Sequence, residues 1–113
     1  MKIQLFAVTK EKKYDAQALY VDGKVTVLKG SKIKIPESKG YKPSIKMSNM
    51  RKDSSLVDNN GIVLQDLEFG SLSTSASFVT GRSTNGFLLW KTKDGILARD
   101  FLNKSGAMKE KAK

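Results

Sequence analysis

The amino-acid sequence predicts an α+β domain: a small antiparallel sheet of five or six short strands with two main helices packed against it. Three observations carry that prediction. Asp22-Gly23 and Asp94-Gly95 each sit between apolar runs and are two-residue hairpin signals, which favours antiparallel pairing. Two stretches open on helix caps, Ser44 after Pro43 and Ser71 ahead of a run closed by Gly81. No internal repeat or low-complexity linker divides the 113 residues, so the elements must share one core.

Taken in order, Ile3 to Thr9 alternates as a first strand, and the polar run Lys10 to Asp15 is a loop. Ala16 to Val21 and Lys24 to Lys29 form a hairpin about Asp22-Gly23. A two-residue turn pairs Tyr20 with Val25 and Ala18 with Val27, so Ala16, Ala18, Tyr20, Val25 and Val27 share a face. The opposite face holds Leu19, Val21 and Leu28 among Gln17, Lys24 and Thr26, and expects partial cover. Gly30 to Tyr41, with Pro36, Gly40 and three lysines, reads as an exposed connection with a short extended piece at Ile33 to Ile35.

A helix is expected from Ser44 to about Asp58, with Ile45, Met50, Leu56 and Val57 as its apolar face. Asn59-Asn60-Gly61 closes it, and Ile62 to Leu64 follows as a short strand. In Phe69 to Leu97, Ser71 caps a helix on which Leu72, Ala76 and Val79 fall at helical spacing, and Gly81 stops it. Asn85-Gly86 then turns the chain into an apolar strand, Phe87 to Trp90, and Asp94-Gly95 returns it through Ile96 and Leu97. Phe6, Phe69, Phe78, Phe87, Leu89 and Trp90 are expected in or beside the core. Trp90 as a surface platform for a nucleobase is the alternative, but its apolar strand favours packing. Residues 1–102 form the single domain and 103–113 a mobile basic tail.

Composition removes several chemistries. The chain has no cysteine and no histidine, so thiolate nucleophiles, disulfides, imidazole bases and familiar zinc sites are excluded. Of the 11 carboxylates only Asp66 and Glu68 are closely spaced, and a solvated edge explains them better than a metal or catalytic pair. Gly81 to Gly86 lacks the strand-before, helix-after context of a phosphate loop. No catalytic residue, metal, cofactor or small-molecule substrate is expected. The apolar run Ile3 to Val8 is too short for a signal peptide, and no stretch approaches membrane-spanning length, so the expectation is a cytoplasmic protein without a membrane partner.

Charge is the informative feature. Between Lys24 and Lys52 nine basic residues face Glu37 alone, which places +8 of the net +10 in that stretch. One sign at that density attracts polyanions and holds them through phosphate contacts and counterion release. Eighteen of the 21 basic residues are lysine, which suits backbone contact better than bidentate reading of base edges. A lysine-rich surface serving solubility is the competing reading.

The residues Phe69, Ser71, Ser73 to Ala76, Gly81-Arg82-Ser83, Asn85-Gly86, Trp90-Lys91 and Asp94-Gly95 occur in an order that resembles a known family. It is the uncharacterised domain found at the C-terminal end of GIY-YIG nuclease-type proteins, which is similar to the restriction-enzyme adenine-methylase-associated (RAMA) module. The resemblance extends to Gln65-Asp66 and to Val27 through Ser31, and departs at Leu72, where the family has proline, and at Phe87, where tryptophan is frequent. It implies an accessory role beside nucleic-acid enzymes.

The expected function is therefore a non-catalytic basic accessory module that binds nucleic acid, DNA above all, through phosphates. Lys29, Lys32, Lys34, Lys42, Lys46, Arg51 and Lys52 form the expected contact set by charge density. Arg82, Asn85 and Lys91 near the signature turn add a more specific one. The alternative is a protein-interaction domain docking a nuclease or methyltransferase partner, which requires an exposed apolar patch such as Leu19, Val21 and Leu28.

Overall fold

A computed structural model describes residues 2–9, 11 and 13–104. Its elements are β1 (Lys2–Val8), β2 (Asp15–Val21), β3 (Lys24–Val27), α1 (Ile45–Lys52), β4 (Leu67–Phe69), α2 (Leu72–Thr80), α3 (Gly86–Leu89) and α4 (Ala98–Lys104). The four strands form one antiparallel sheet in the order β1-β2-β3-β4. The α+β class holds, but the sheet among the described residues has four strands rather than five or six.

The first hairpin follows the dipeptide. Asp22 and Gly23 adopt φ 50 and 89, both left-handed, as a two-residue turn matched to strand twist demands. Tyr20 opposes Val25 and Ala18 opposes Val27 as expected. Register then aligns Leu5, Ala18, Val27 and Leu67 across the sheet. With Ile3, Ala7, Ala16, Val25 and Phe69 they are the buried face. α2 lies against that face: Leu72, Ala76, Phe78 and Val79 are buried, and the rings of Phe69 and Phe78 lie 5.0 Å apart at 42°. Ser71 caps α2 by accepting from the Thr74 N–H at 3.1 Å, and Gly81 ends it at φ 71.

Phe87 to Leu89 is helical, not extended. The Asn85 side chain accepts from the Phe87 N–H at 3.0 Å and caps α3, so Asn85-Gly86 starts a helix where a strand was expected. Trp90 is fully buried and its indole N–H donates to Ser75 Oγ at 3.0 Å, which makes it a core residue and no surface platform. Beyond it, Lys91 and Phe6 exchange backbone hydrogen bonds of 3.0 and 2.7 Å, adding one antiparallel bridge at the free edge of β1. The Asp94-Gly95 turn closes through Thr92 N–H to Ile96 O at 2.8 Å, with Gly95 at φ 83. It encloses three residues rather than two, and Leu97 pairs with Lys91 only as a bridge.

Gly30 to Tyr41 is not an exposed connection. Lys32 and Asp15 exchange backbone bonds of 2.8 and 2.9 Å, Ile33 donates to Gly61 O and Lys34 to Val79 O, each at 2.8 Å. Ser31 and Ile33 are buried as a result. Ile62 answers this segment through an isolated bridge to Lys32, and Val63 bridges Val57, so no strand forms there. α1 stops at Lys52, short of Asp58, because the Asp53 carboxylate accepts from both the N–H and the hydroxyl of Ser55, at 2.9 and 2.6 Å. Its inner face is Met47 and Arg51, while Ile45, expected inside, is 81% exposed. α4 was not anticipated. It carries the chain through Asn103 and Lys104, the first two residues of the expected tail, and residues 105–113 lie outside the described residues.

Candidate functional site

The interior of the basic stretch is organised by Arg51. Its side chain is 1% exposed, its Nε donates to Glu37 at 3.2 Å, and its Nη1 and Nη2 donate to the carbonyls of Phe78 and Lys34. Burial lowers its pKa from the usual arginine value, and the Glu37 carboxylate opposes that shift. A guanidinium this buried, with all three nitrogens held by protein acceptors, is not presented to a phosphate at the surface, so Arg51 leaves the expected contact set. It works instead as a clamp between α1, α2 and the segment that carries Lys34.

That segment is extended, so successive side chains alternate. Ile33 enters the core, and Lys32 and Lys34 emerge half-buried on the other side. Two adjoining clefts receive them. One, of about 340 Å³, is lined by Lys13, Lys32, Ile33, Lys34, Ile35 and Asn60. The other, of about 230 Å³, adds Thr9, Tyr14, Ser38, Thr80 and Arg82 to the shared Lys13 and Lys34. Lys34 Nζ donates to Ser38 Oγ at 3.2 Å, and the Ser38 N–H donates to the Gly81 carbonyl at 2.8 Å, tying this loop to the end of α2 beside Arg82.

The groove therefore gathers Lys13, Lys32, Lys34 and Arg82. The carboxylate lining it is Glu11, 3.6 Å from Lys13. Among the described residues no carboxylate pairs with Lys32, Lys34 or Arg82. Unpaired cations this close together repel each other and focus a positive potential into the cleft, an arrangement suited to an oxyanion with several oxygens.

The other expected contacts fall elsewhere. Lys29 is exposed after β3, where its N–H donates to Asp66 Oδ1 at 2.8 Å. Lys42 precedes α1, and Lys46 and Lys52 lie on its exposed side. None of these four lines the groove. Asn85 uses its side-chain oxygen to cap α3 and sits with Arg82 on a shallow neighbouring cleft. Lys91 is exposed on the lip of a larger apolar cleft of about 500 Å³, which Phe6, Tyr14, Leu88 and Leu89 line with Lys93. Phe87 and Leu89, expected in or beside the core, are half-buried and packed against it, and Phe6 is half-buried. Sequence reasoning missed Lys13, placed in an unremarkable polar loop, because only the fold brings that loop to Lys34.

Asp66 and Glu68 do not form a joint site: Asp66 accepts from Lys29, and Glu68 lies 3.9 Å from Lys24. No helix among the described residues is long and apolar enough to cross a membrane.

The chain matches no curated protein and no solved structure at a significant level. A family model does match, that of the domain of unknown function DUF4357, over residues 6–102. That span takes in the sheet from the middle of β1 onward, the cationic groove and its neighbouring clefts, and the chain belongs to the DUF4357 family.

Proposed function

We propose that this domain is a non-catalytic module that binds nucleic acid through its phosphates, with Lys13, Lys32, Lys34 and Arg82 as the central contacts. The observation that carries this reading is the convergence of those four cations on two adjoining clefts that, among the described residues, are lined by a single carboxylate, Glu11. Lys42, Lys46 and Lys52 extend the positive field without lining the groove. Ser38 adds a hydroxyl on its wall, and phosphate recognition commonly pairs hydroxyls with cations in this way. The resemblance to the GIY-YIG-associated domain and to RAMA supports an accessory role beside a nuclease or methyltransferase.

Docking of such an enzyme through the outer sheet face has weaker support. Val21 is 40% exposed there, but Leu19 and Leu28 are half-buried, which leaves no broad apolar patch of the three.

The test is a fluorescence anisotropy titration of the full chain with DNA at increasing salt. Log affinity should fall linearly with log salt, with a slope of about −0.7 to −0.9 per phosphate held. Affinity that ignores salt, or no binding at low salt, contradicts the reading.

A further inference from the structure

The apolar cleft beside the groove has no part in the reading above. Tyr14 lines both cavities, and Leu88 and Leu89 line both this cleft and the shallow one reached from Arg82. The surface is thus continuous from Lys34, past Arg82 and Tyr14, to Lys91 and Lys93. Leu88 is 46% exposed, so apolar surface lies open to solvent within a belt of cations.

We propose that this cleft receives an unpaired base of a single-stranded nucleic acid whose phosphates follow Lys34, Arg82 and Lys91. The inference rests on the phosphate-binding function proposed above and names its substrate class. A volume of about 500 Å³ lies in the range of small-molecule sites, and the rings of Phe6 and Tyr14 with Leu88 and Leu89 form walls suited to a flat aromatic group. The charged side chains lining the cleft are Lys91 and Lys93, so the recess is complementary to a base flanked by phosphates. A base inside a duplex is stacked on both faces and cannot enter. Only a strand with free bases satisfies the cations and the apolar walls together.

The experiment compares an oligothymidylate, an abasic oligonucleotide of equal length and charge, and a duplex, each titrated against the full chain at low salt by fluorescence anisotropy. The oligothymidylate should bind about tenfold more tightly than the abasic strand. Leu88→Ser should reduce it to the abasic level while leaving abasic binding unchanged. Leu88 is exposed enough for that variant to fold, and Tyr14→Ala, checked by thermal melting, gives a second reading.

Equal binding of the base-bearing and abasic strands overturns the inference and leaves the phosphate-binding function standing. Tighter binding of the duplex overturns it in the same way. Absence of binding by all three probes overturns both and leaves the cleft to a protein partner.

Discussion

The Arg51 guanidinium donates to the backbone carbonyl of Lys34, so a buried cation in α1 positions an accessible cation of the groove. With Glu37 and the Phe78 carbonyl it fastens the basic segment to the end of α2. Replacing Arg51 by Met removes the charge and leaves Glu37 and two carbonyls without their donor. The expected loss is about 3 kcal/mol of unfolding free energy, measured by urea denaturation. At temperatures where the variant remains folded, nucleic-acid affinity should also fall, because Lys34 loses its anchor although Arg51 never meets the ligand.

Trp90 and Ser75 supply a second test. Ser75 Oγ accepts from the indole and donates to the Leu72 carbonyl at 2.7 Å, all in the buried core. Ser75→Ala strands both groups and should cost about 1–3 kcal/mol, read from tryptophan fluorescence in urea. Combined with Trp90→Phe, measured by circular dichroism, the losses should fall short of additive, because the shared hydrogen bond is removed only once.

Two glycines separate steric need from conformational need. A Cβ on Gly86 would lie 2.2 Å from the Leu72 carbonyl, so α3 can start where it does only without a side chain. Gly95 has φ 83 but open space around it. Gly86→Ala should therefore cost about 3 kcal/mol or more by overpacking, and Gly95→Ala about 1 kcal/mol of backbone strain. Thermal denaturation that ranks them in the reverse order contradicts this account of α3.

Asp53 offers a pH signature. The Ser55 hydroxyl, and after it the Ser55 N–H, hold its exposed carboxylate below the usual aspartate range. A folded value below the unfolded one means the contribution is complete above the ordinary aspartate pKa and disappears as pH falls through the depressed value. In Ser55→Ala the Asp53 titration, followed by NMR, should move up towards the ordinary range.

These elements also show why parts of the fold were legible in advance. The Asp22-Gly23 hairpin, the Ser71 cap and the Gly81 stop are decided by short-range backbone geometry, and the chain states them locally. The Phe87 to Leu89 run is apolar and short, and such a run reads equally well as strand or helix. The choice was made by Asn85 as a cap and by the approach of Gly86 to Leu72, a tertiary fact. The basic segment 30–41 looked exposed because Pro, Gly and Lys dominate it, yet its backbone is paired with Asp15, Gly61 and Val79 from distant parts of the chain.

The same distinction applies to the groove. Density of charge marked Lys32 and Lys34, and loop position marked Arg82, but nothing local distinguished Arg51 as a buried clamp or joined Lys13 to the others. Only packing against the end of α2 does so.

The most direct measurement compares salt-dependent DNA binding of the wild-type chain with two double variants of equal charge change. Lys34→Glu with Arg82→Glu alters the groove, whereas Lys42→Glu with Lys46→Glu alters positions outside it. The groove variant should lose binding and the flatter salt slope should report about two fewer phosphate contacts, while the control pair should weaken binding only slightly. Equal losses in the two variants would contradict a defined groove and reduce the protein to a diffusely basic surface.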